Sequence, residues 1–294
     1  MEDKVPIVKK DQGILSKLEA WMYLLPTLII LGIFMFHPFI QTLNRSLYRT
    51  DGFGQNAEFK GLGNYNELFH SASFWNSIQV TILFVLIVVL VGVIIGFLGA
   101  MLCQRTFKGI SFFSTSYAMP MAIASAGMAM IFQVMLNPSI GIINAIFDTS
   151  KNFLTDPNLA LLTVGFLTGW LNSGMNFLYF SSGLAGIDDS LYESASIDGA
   201  GGFQQFLHIT IPSLKPTLFF VVVTNIINAF QAFGQINILT SGGPGEATNV
   251  IVYDIYKNAF MNYRYGYASA ESVVLFIIIM ILTGIMFAIR QKGE

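Results

Sequence analysis

Long stretches without charged residues dominate the pattern of this chain. Six intervals lack Asp, Glu, Lys and Arg, and each holds a mostly apolar run close to the roughly 20 residues that a helix needs to cross a bilayer. The runs do not alternate between apolar and polar positions, so they predict helices rather than strands. The pattern therefore predicts an all-α integral membrane protein with six transmembrane helices, within intervals 20–44, 68–104, 109–147, 157–187, 216–245 and 272–289.

The edges of these intervals set the expected ends of the helices. The first apolar run, 21–36, ends at His37-Pro38-Phe39 without a small-residue cleavage site, which indicates a first span rather than a cleaved signal peptide. The last interval has 18 residues and is only just long enough. Glu271 stands at its mouth, where we expect an interfacial residue. A shorter gap, 199–214, predicts a loop or an interfacial helix.

Composition narrows the possible classes of protein. Of 294 residues, 54% are hydrophobic and 11% are charged, whereas soluble domains carry about 25% charged residues. So few charged residues cannot cover a water-facing surface, which argues against a soluble enzyme. The net charge of −2 and the lack of a basic patch argue against a nucleic-acid partner. Membrane lipid is the expected surrounding.

Lys and Arg are biased towards one side of the predicted spans, which indicates orientation. With both termini in the cytoplasm, the outer segments hold Arg45, Arg49, Lys60, Lys151, Lys257 and Arg264. The inner segments hold more, namely Lys4, Lys9, Lys10, Lys17, Arg105, Lys108, Lys215, Arg290 and Lys292.

The sequence lacks the motifs of most catalytic and carrier mechanisms. There is no GxxxxGK[ST] motif, so the chain is not expected to hydrolyse ATP. The three histidines are scattered and Cys103 is the single cysteine, so we expect no catalytic residues and no metal site. A stand-alone secondary transporter would favour acids inside spans or an inverted repeat, and an integral-membrane enzyme would favour clustered His, Asp and Glu. Neither pattern is apparent.

The loop 186–214, between the fourth and fifth predicted spans, carries the most specific local signals. Ser190 and Glu193 form the pattern of a capping box that starts a short helix, and Gly199 is placed to end it in a left-handed conformation. A second helical piece follows, with apolar residues at helical spacing, before Pro212 and Pro216. The loop has too few Lys and Arg to favour a lipid surface. The loop therefore predicts a helix, a Gly turn and a second helix, which together dock on another protein. The apolar positions of the second helix are Phe203, Phe206, Leu207 and Thr210.

This loop resembles that of permease subunits of binding-protein-dependent ABC importers. Their pattern is E-A-A, three residues, G, nine residues and I-x-L-P. This chain departs from it at Ser194 and Ile211. The positions that the resemblance assigns to the ATPase-coupling loop are Glu193, Ala195, Asp198, Gly199, Ile209 and Pro212.

Two further stretches are similar to the carbohydrate branch of that family, the maltose type. One is Leu-Thr-Ser-Gly-Gly-Pro at 239–244 with the Tyr- and Ala-rich segment 253–270, and the other is Gly-Leu-Gly-Asn-Tyr at 61–65. The branch includes permeases for sugars and for glycerol 3-phosphate. The resemblance therefore implies a permease for a sugar or oligosaccharide, with glycerol 3-phosphate or a related compound as the alternative.

The family resemblance also implies an architecture and partners. It implies the type I importer fold with a cytoplasmic coupling helix, in the inner or plasma membrane of a prokaryote. Residues 1–74 would form the cytoplasmic N-terminus, first span and outer segment, 75–290 the five-helix core, and 291–294 the tail. The partners would be a second, similar permease, an external solute-binding protein and two ATPase subunits, which would hold ATP and Mg, with no cofactor in this chain.

Amide side chains within the predicted spans are candidates for the substrate path. Polar residues in spans usually face the bundle interior, and amides both donate and accept hydrogen bonds, as sugar hydroxyls require. The other interpretation is that they hydrogen-bond between helices. The spans contain no Lys or Arg to hold a phosphate, which favours a neutral sugar. The candidates are Asn172 and Asn176 in the fourth span, and Asn225, Asn228, Gln231 and Gln235, which we expect on one face of the fifth.

Overall fold

The structure is a computed structural model that describes residues 14–104, 108–147 and 151–293. The inner-side charges Lys4, Lys9, Lys10 and Arg105 lie outside the described residues, as does most of the predicted N-terminal cytoplasmic segment. Helices account for most of the described chain. In order they are α1 Ile14–Leu31, α2 His37–Arg45, α3 Gly63–Phe69, α4 Ala72–Cys103, α5 Ile110–Ala118, α6 Ser125–Met135, α7 Ile142–Ile146, α8 Pro157–Ala185, α9 Asp189–Ile197, α10 Gly202–Gln205, α11 Ile211–Ser213, α12 Lys215–Phe230, α13 Gly234–Leu239, α14 Ile251–Tyr256 and α15 Tyr265–Gly293.

The first apolar helix ends at Arg45, one residue beyond the charge-free interval 20–44. A π-helical turn, Gly32–Phe36, joins α1 to α2, so the helix continues past Pro38 to Arg45. The apolar run therefore ends at His37-Pro38-Phe39 without ending the helix. Pro removes one backbone hydrogen bond, and a π-turn directly before it accommodates this change within a continuous helix. In the most apolar part of this helix no residue is buried by the rest of the chain.

The core is built where α4 packs along α8, with α12 against both. Glycines on α4 permit this close approach. A methyl group at Gly96 would lie 2.6 Å from Cβ of Asn176 on α8, closer than carbon atoms can pack. The apolar residues buried around this contact include Phe84, Val88, Val164, Phe180 and Val221.

Several helices are bent or broken, which affects the number of spans. Among the described residues, three helices are long and apolar enough to cross a membrane, and two bent helix pairs raise the number to five. One pair is Ile110–Ala122 with Ser125–Met135, bent by 99°, and the other is Gly202–Ser213 with Lys215–Phe230, bent by 61°. The 29-residue α8 is not among them. Because α8 packs along α4 and also contacts α5, α12 and α13, part of its surface is buried by protein and can be less apolar than a surface that faces lipid. The six-span count stays a prediction.

A short β-hairpin is a feature that the all-α prediction missed. Strand β1, Tyr48–Thr50, pairs antiparallel with β2, Asn56–Phe59. The hairpin is fixed to the start of α15, where the backbone N–H of Gly266 donates to Oγ1 of Thr50 at 3.0 Å. Strands of three and four residues are too short to produce a recognisable alternation in the sequence.

Candidate coupling elbow and membrane path

The segment 188–213, here called the elbow, begins with a capped helix. The cap is Asp188, whose Oδ1 accepts from the backbone N–H of Ser190 at 2.9 Å. This hydrogen bond lowers the pKa of the Asp188 carboxyl, because it favours the charged form. The predicted capping box of Ser190 and Glu193 is therefore wrong. Asp188 lies two residues before Ser190 and takes the N-cap position in its place, since Asp is as good an N-cap as Ser.

The predicted glycine turn is confirmed in detail. Gly199 has φ +81°, in the left-handed region. The N–H of Ala200 donates to the carbonyl of Ala195 at 2.9 Å, and the N–H of Gly199 donates to that of Ser196 at 3.1 Å. These two bonds form a Schellman motif, which satisfies the last carbonyls of α9. The turn is thus a defined geometry rather than a flexible link.

Side-chain hydrogen bonds hold the two arms of the elbow together. The second arm runs as one helical piece from Gly202 to Ser213. From this arm, Nε2 of Gln205 donates to Oγ of Ser196 at 2.9 Å, and the hydroxyl of Tyr192 bonds that of Thr210 at 2.9 Å. These contacts join both arms at two places, so a force on α9 moves the second arm as well.

The outer surface of the elbow is exposed and mixes charge with apolar groups. Glu193 and Asp198 are exposed, and Ala195 is half-buried. Ile197 is 87% exposed and Phe203 is 73% exposed. The sequence analysis missed Ile197, although a large apolar residue beside Asp198-Gly199 in a short polar helix is an available signal. Exposed apolar residues with a charged rim are typical of protein contact surfaces.

The remaining coupling-loop positions lie along the second arm. Ile209 is half-buried and lines a cavity of about 380 Å³ together with Ala195 and Gly199. Pro212 lies in the last turn before the 61° bend into α12. The six predicted coupling residues therefore occupy one continuous unit, and that unit leads directly into a candidate membrane helix.

Two of the predicted path amides bond to each other. Nδ2 of Asn176 donates to Oδ1 of Asn225 at 3.2 Å, and Nδ2 of Asn225 donates back to Oδ1 of Asn176 at 2.7 Å. The two residues are 2% and 3% exposed. Gly92 and Gly96 of α4 lie directly beside them. The pair joins α8 to α12, which matches the interhelical interpretation of these two amides.

The other path candidates do not share one helical face. Helix α12 ends at Phe230 and α13 starts at Gly234, so Gln231 and Gln235 do not continue the face of Asn225. The expectation of one face is wrong because the helix breaks at residues 231–233. Asn228 and Gln231 are exposed, while Asn172 and Gln235 are half-buried. These four amides remain open to a ligand or a partner.

Glu271, which the sequence analysis places at the mouth of the last span, is buried within the protein. Its side chain is 0% exposed. Nδ2 of Asn258 donates to Oε2 of Glu271 at 3.2 Å and to Oδ2 of Asp254 at 3.4 Å. Among the described residues, Oε1 of Glu271 has no hydrogen-bond partner. The amide of Asn258 thus connects the segment around α14 to the last helix.

Because Glu271 is buried and partnered, its charge does not end the last helix. Helix α15 starts at Tyr265 and has 29 residues, instead of the 18 residues that the charge-free interval predicts. The last candidate span is therefore long enough to cross a bilayer with residues to spare.

The chain is a helical membrane protein with several candidate spans. It has an exposed elbow whose two arms are joined by hydrogen bonds, and it lacks a nucleotide-binding motif. These features fit the class of permeases that separate subunits drive. Residues 92–292 match the family described as binding-protein-dependent transport system inner membrane component. The chain belongs to this family, which confirms the predicted resemblance. Members of this family are transport components of the membrane.

Relatives of known description cover nearly the whole chain. The sn-glycerol-3-phosphate transport system permease protein UgpA of Agrobacterium fabrum is 37% identical over 281 residues, which span 94% of this chain and 96% of that protein. The probable ABC transporter permease protein YurN of Bacillus subtilis is 33% identical, spanning 95% and 98%.

A solved structure supports the fold. A crystal structure of a bacterial ABC transporter involved in the import of the acidic polysaccharide alginate matches with a TM-score of 0.84. The match covers 96% of this chain and 98% of that chain, at 23% sequence identity. The chain therefore has the ABC importer permease fold.

Proposed function

We propose that this chain is one of two permease subunits of an ATP-driven importer. The elbow receives the movement that ATP hydrolysis causes in the ATPase subunits. The braced, exposed elbow supports this proposal most directly. A chain without a nucleotide site can be driven only through an interface that favours one of its conformations over another. The elbow is rigid, projects its charged and apolar residues outwards, and continues into α12 through Pro212.

The remaining partners follow from this division of labour. Two ATPase subunits hold ATP and Mg, a second, similar permease completes the path, and an external solute-binding protein delivers the solute. The chain crosses the inner or plasma membrane of a prokaryote six times, with both termini in the cytoplasm. Three observations support this arrangement. The chain belongs to a family of membrane transport components, Lys and Arg are biased towards one side of the spans, and α8 is long enough, at 29 residues, to be a further span.

The proposed solute is a neutral sugar or oligosaccharide. The open amides Asn228 and Gln231, together with Asn172 and Gln235, can exchange hydrogen bonds with hydroxyl groups. None of these path candidates carries a positive charge. Glycerol 3-phosphate is the second candidate, because the name of the UgpA relative includes it.

The elbow is tested in proteoliposomes that contain the complete transporter. The double variant Glu193→Lys/Asp198→Lys reverses the charge of the outer surface of the elbow, and we expect it to abolish ATP-driven uptake while the subunits still assemble. The control is Glu58→Lys, an exposed residue of the hairpin, which should preserve uptake. Normal uptake by the elbow variant would reject the coupling role.

The solute is tested separately with labelled oligosaccharides and labelled glycerol 3-phosphate. Replacing Asn228 and Gln231 by Leu should reduce uptake of the accepted solute or change the preference. Unchanged kinetics would assign both amides to contacts with a partner. Accumulation by this chain alone in vesicles would support the third possibility, a stand-alone secondary transporter, and reject the driven permease.

A further inference from the structure

Two acidic side chains that the proposed mechanism does not use lie buried next to each other. Asp254 on α14 is 3% exposed and Glu271 on α15 is 0% exposed. Both accept from the same donor, Nδ2 of Asn258, at 3.4 and 3.2 Å. The second oxygen of Asp254, Oδ1, accepts from Nδ2 of Asn249 at 3.0 Å. Among the described residues, two neutral amides are thus the hydrogen-bond donors to this acid pair.

The acid pair, Asp254 and Glu271, has no cation in direct contact. In the part of the chain that the structure describes, no Lys, Arg or His nitrogen lies within 4.0 Å of either carboxyl group. This includes the cations of α2, β1 and α12, which also pack against α15. Arg264, just before α15, is paired with Glu67 of α3, and Lys257, just after α14, is paired with Glu246. The neighbouring titratable groups that remain are the phenols of Tyr253 on α14 and Tyr267 on α15.

A direct contact between the two carboxyl groups requires a proton. The side chain of Asp254 is a hydrogen-bonding neighbour of Glu271, and Oε1 of Glu271 has no partner among the described residues. An ionised carboxylate can only accept a hydrogen bond, whereas a protonated carboxyl group donates one through its O–H. Two ionised carboxylates would also repel each other at a buried place without a counter-charge. One bound proton supplies the missing donor and removes one of the two charges.

We propose that Asp254 and Glu271 form a site that binds one proton between them. The O–H of one carboxyl group donates to the other, while Nδ2 of Asn258 donates to both. The site joins α14 to the first turns of the last helix, so the bound proton stabilises this contact. Its loss leaves two negative charges that push α14 away from α15. This inference depends neither on the elbow nor on the identity of the solute.

The pH dependence of unfolding counts the bound proton. Between about pH 6 and pH 8 the carboxyl groups of an unfolded chain are ionised, so the folded chain holds one more proton at this site. Stability is therefore greatest at the acidic end, and the site should raise the unfolding constant about ten-fold for each pH unit. Glu271→Gln keeps the shape of the side chain but binds no proton, so this ten-fold rise should disappear. The assay is reversible unfolding of the purified chain in detergent or lipid.

The control is Glu67→Gln, which removes an exposed carboxyl group of α3. A hydrogen bond from Lys60 lowers the pKa of the Glu67 carboxyl, so this group is ionised in the folded and the unfolded chain. Its replacement should leave the pH dependence of unfolding between about pH 6 and pH 8 as it is in the wild type. An equal pH dependence of the wild type and Glu271→Gln would overturn the proposal.

Infrared spectroscopy of the folded chain provides a second readout. The C=O band of a protonated, buried carboxyl group should be present in the wild type at neutral pH and absent from Glu271→Gln. A wild type without this band would overturn the proposal. Stabilisation of the wild type, but not of Glu271→Gln, by Na⁺ or K⁺ at constant ionic strength would also overturn it, because a cation would then balance the acid pair.

Discussion

The paired amides Asn176 and Asn225 allow a quantitative test of how the central helices are held together. Two reciprocal hydrogen bonds, of 3.2 and 2.7 Å, join α8 and α12 at a buried position. Side-chain hydrogen bonds between membrane helices contribute on average about 0.6 kcal/mol and at most about 1.7 kcal/mol each. We therefore expect Asn176 and Asn225 to be coupled by about 1–3 kcal/mol in the free energy of unfolding.

A double-mutant cycle measures this coupling energy. Asn176→Ala and Asn225→Ala each leave the other amide buried without its partner, so the second substitution should cost less than the first. The assay is reversible unfolding of the purified protein in lipid or detergent. Asn228→Ala is the control, because Asn228 is exposed on the same helix and should change stability by less than about 0.5 kcal/mol. Additive effects of Asn176→Ala and Asn225→Ala would refute the reasoning.

Three further predictions follow from single contacts. Gly199→Ala forces Ala to φ +81° and should destabilise the elbow by about 1 kcal/mol, seen as reduced ATP-driven uptake. The control Gly202→Ala, inside α10 with open space around it, should preserve uptake, and equal effects of the two variants would contradict the turn. Gly96→Ala should lower the thermal unfolding midpoint, because the added methyl group would lie 2.6 Å from Cβ of Asn176. The control Gly284→Ala, with open space around it, should leave the midpoint unchanged. A neutral Gly96→Ala would contradict the packing of α4 on α8. Asn258→Ala should cost about 1–3 kcal/mol or more in unfolding free energy, because it removes the donor to the two buried carboxyl groups of Asp254 and Glu271. Glu271→Gln keeps the shape of the side chain and can still hydrogen-bond, so it should cost less. The reverse order would contradict these hydrogen bonds.

Local chemistry explains which features could be predicted from the sequence. The turn at Gly199 and the helical second arm depend on residues close in sequence, and spacing alone reveals them. The N-cap was misplaced because Asp188 and Ser190 are both good caps and lie two positions apart. Only the observed backbone geometry selects between them.

Features that depend on distant residues could not be read from the pattern. The burial of Glu271 depends on Asn258, and no sequence rule indicates that this amide turns towards the last helix. The pairing of Asn176 with Asn225 depends on packing against Gly92 and Gly96 of α4, which are distant in sequence. A charge-free interval therefore locates an apolar helix but fixes neither its ends nor the partners of its polar side chains.

The position of the elbow against an ATPase subunit is the central claim. A photo-cross-linking residue at Ile197, which is 87% exposed, should capture the ATPase subunit in the assembled transporter. The same residue at Phe53 in the hairpin, which is 91% exposed, should not. Capture of the ATPase from Ile197 alone is the predicted result. An elbow that captures no ATPase subunit, while uptake remains normal, would contradict the account.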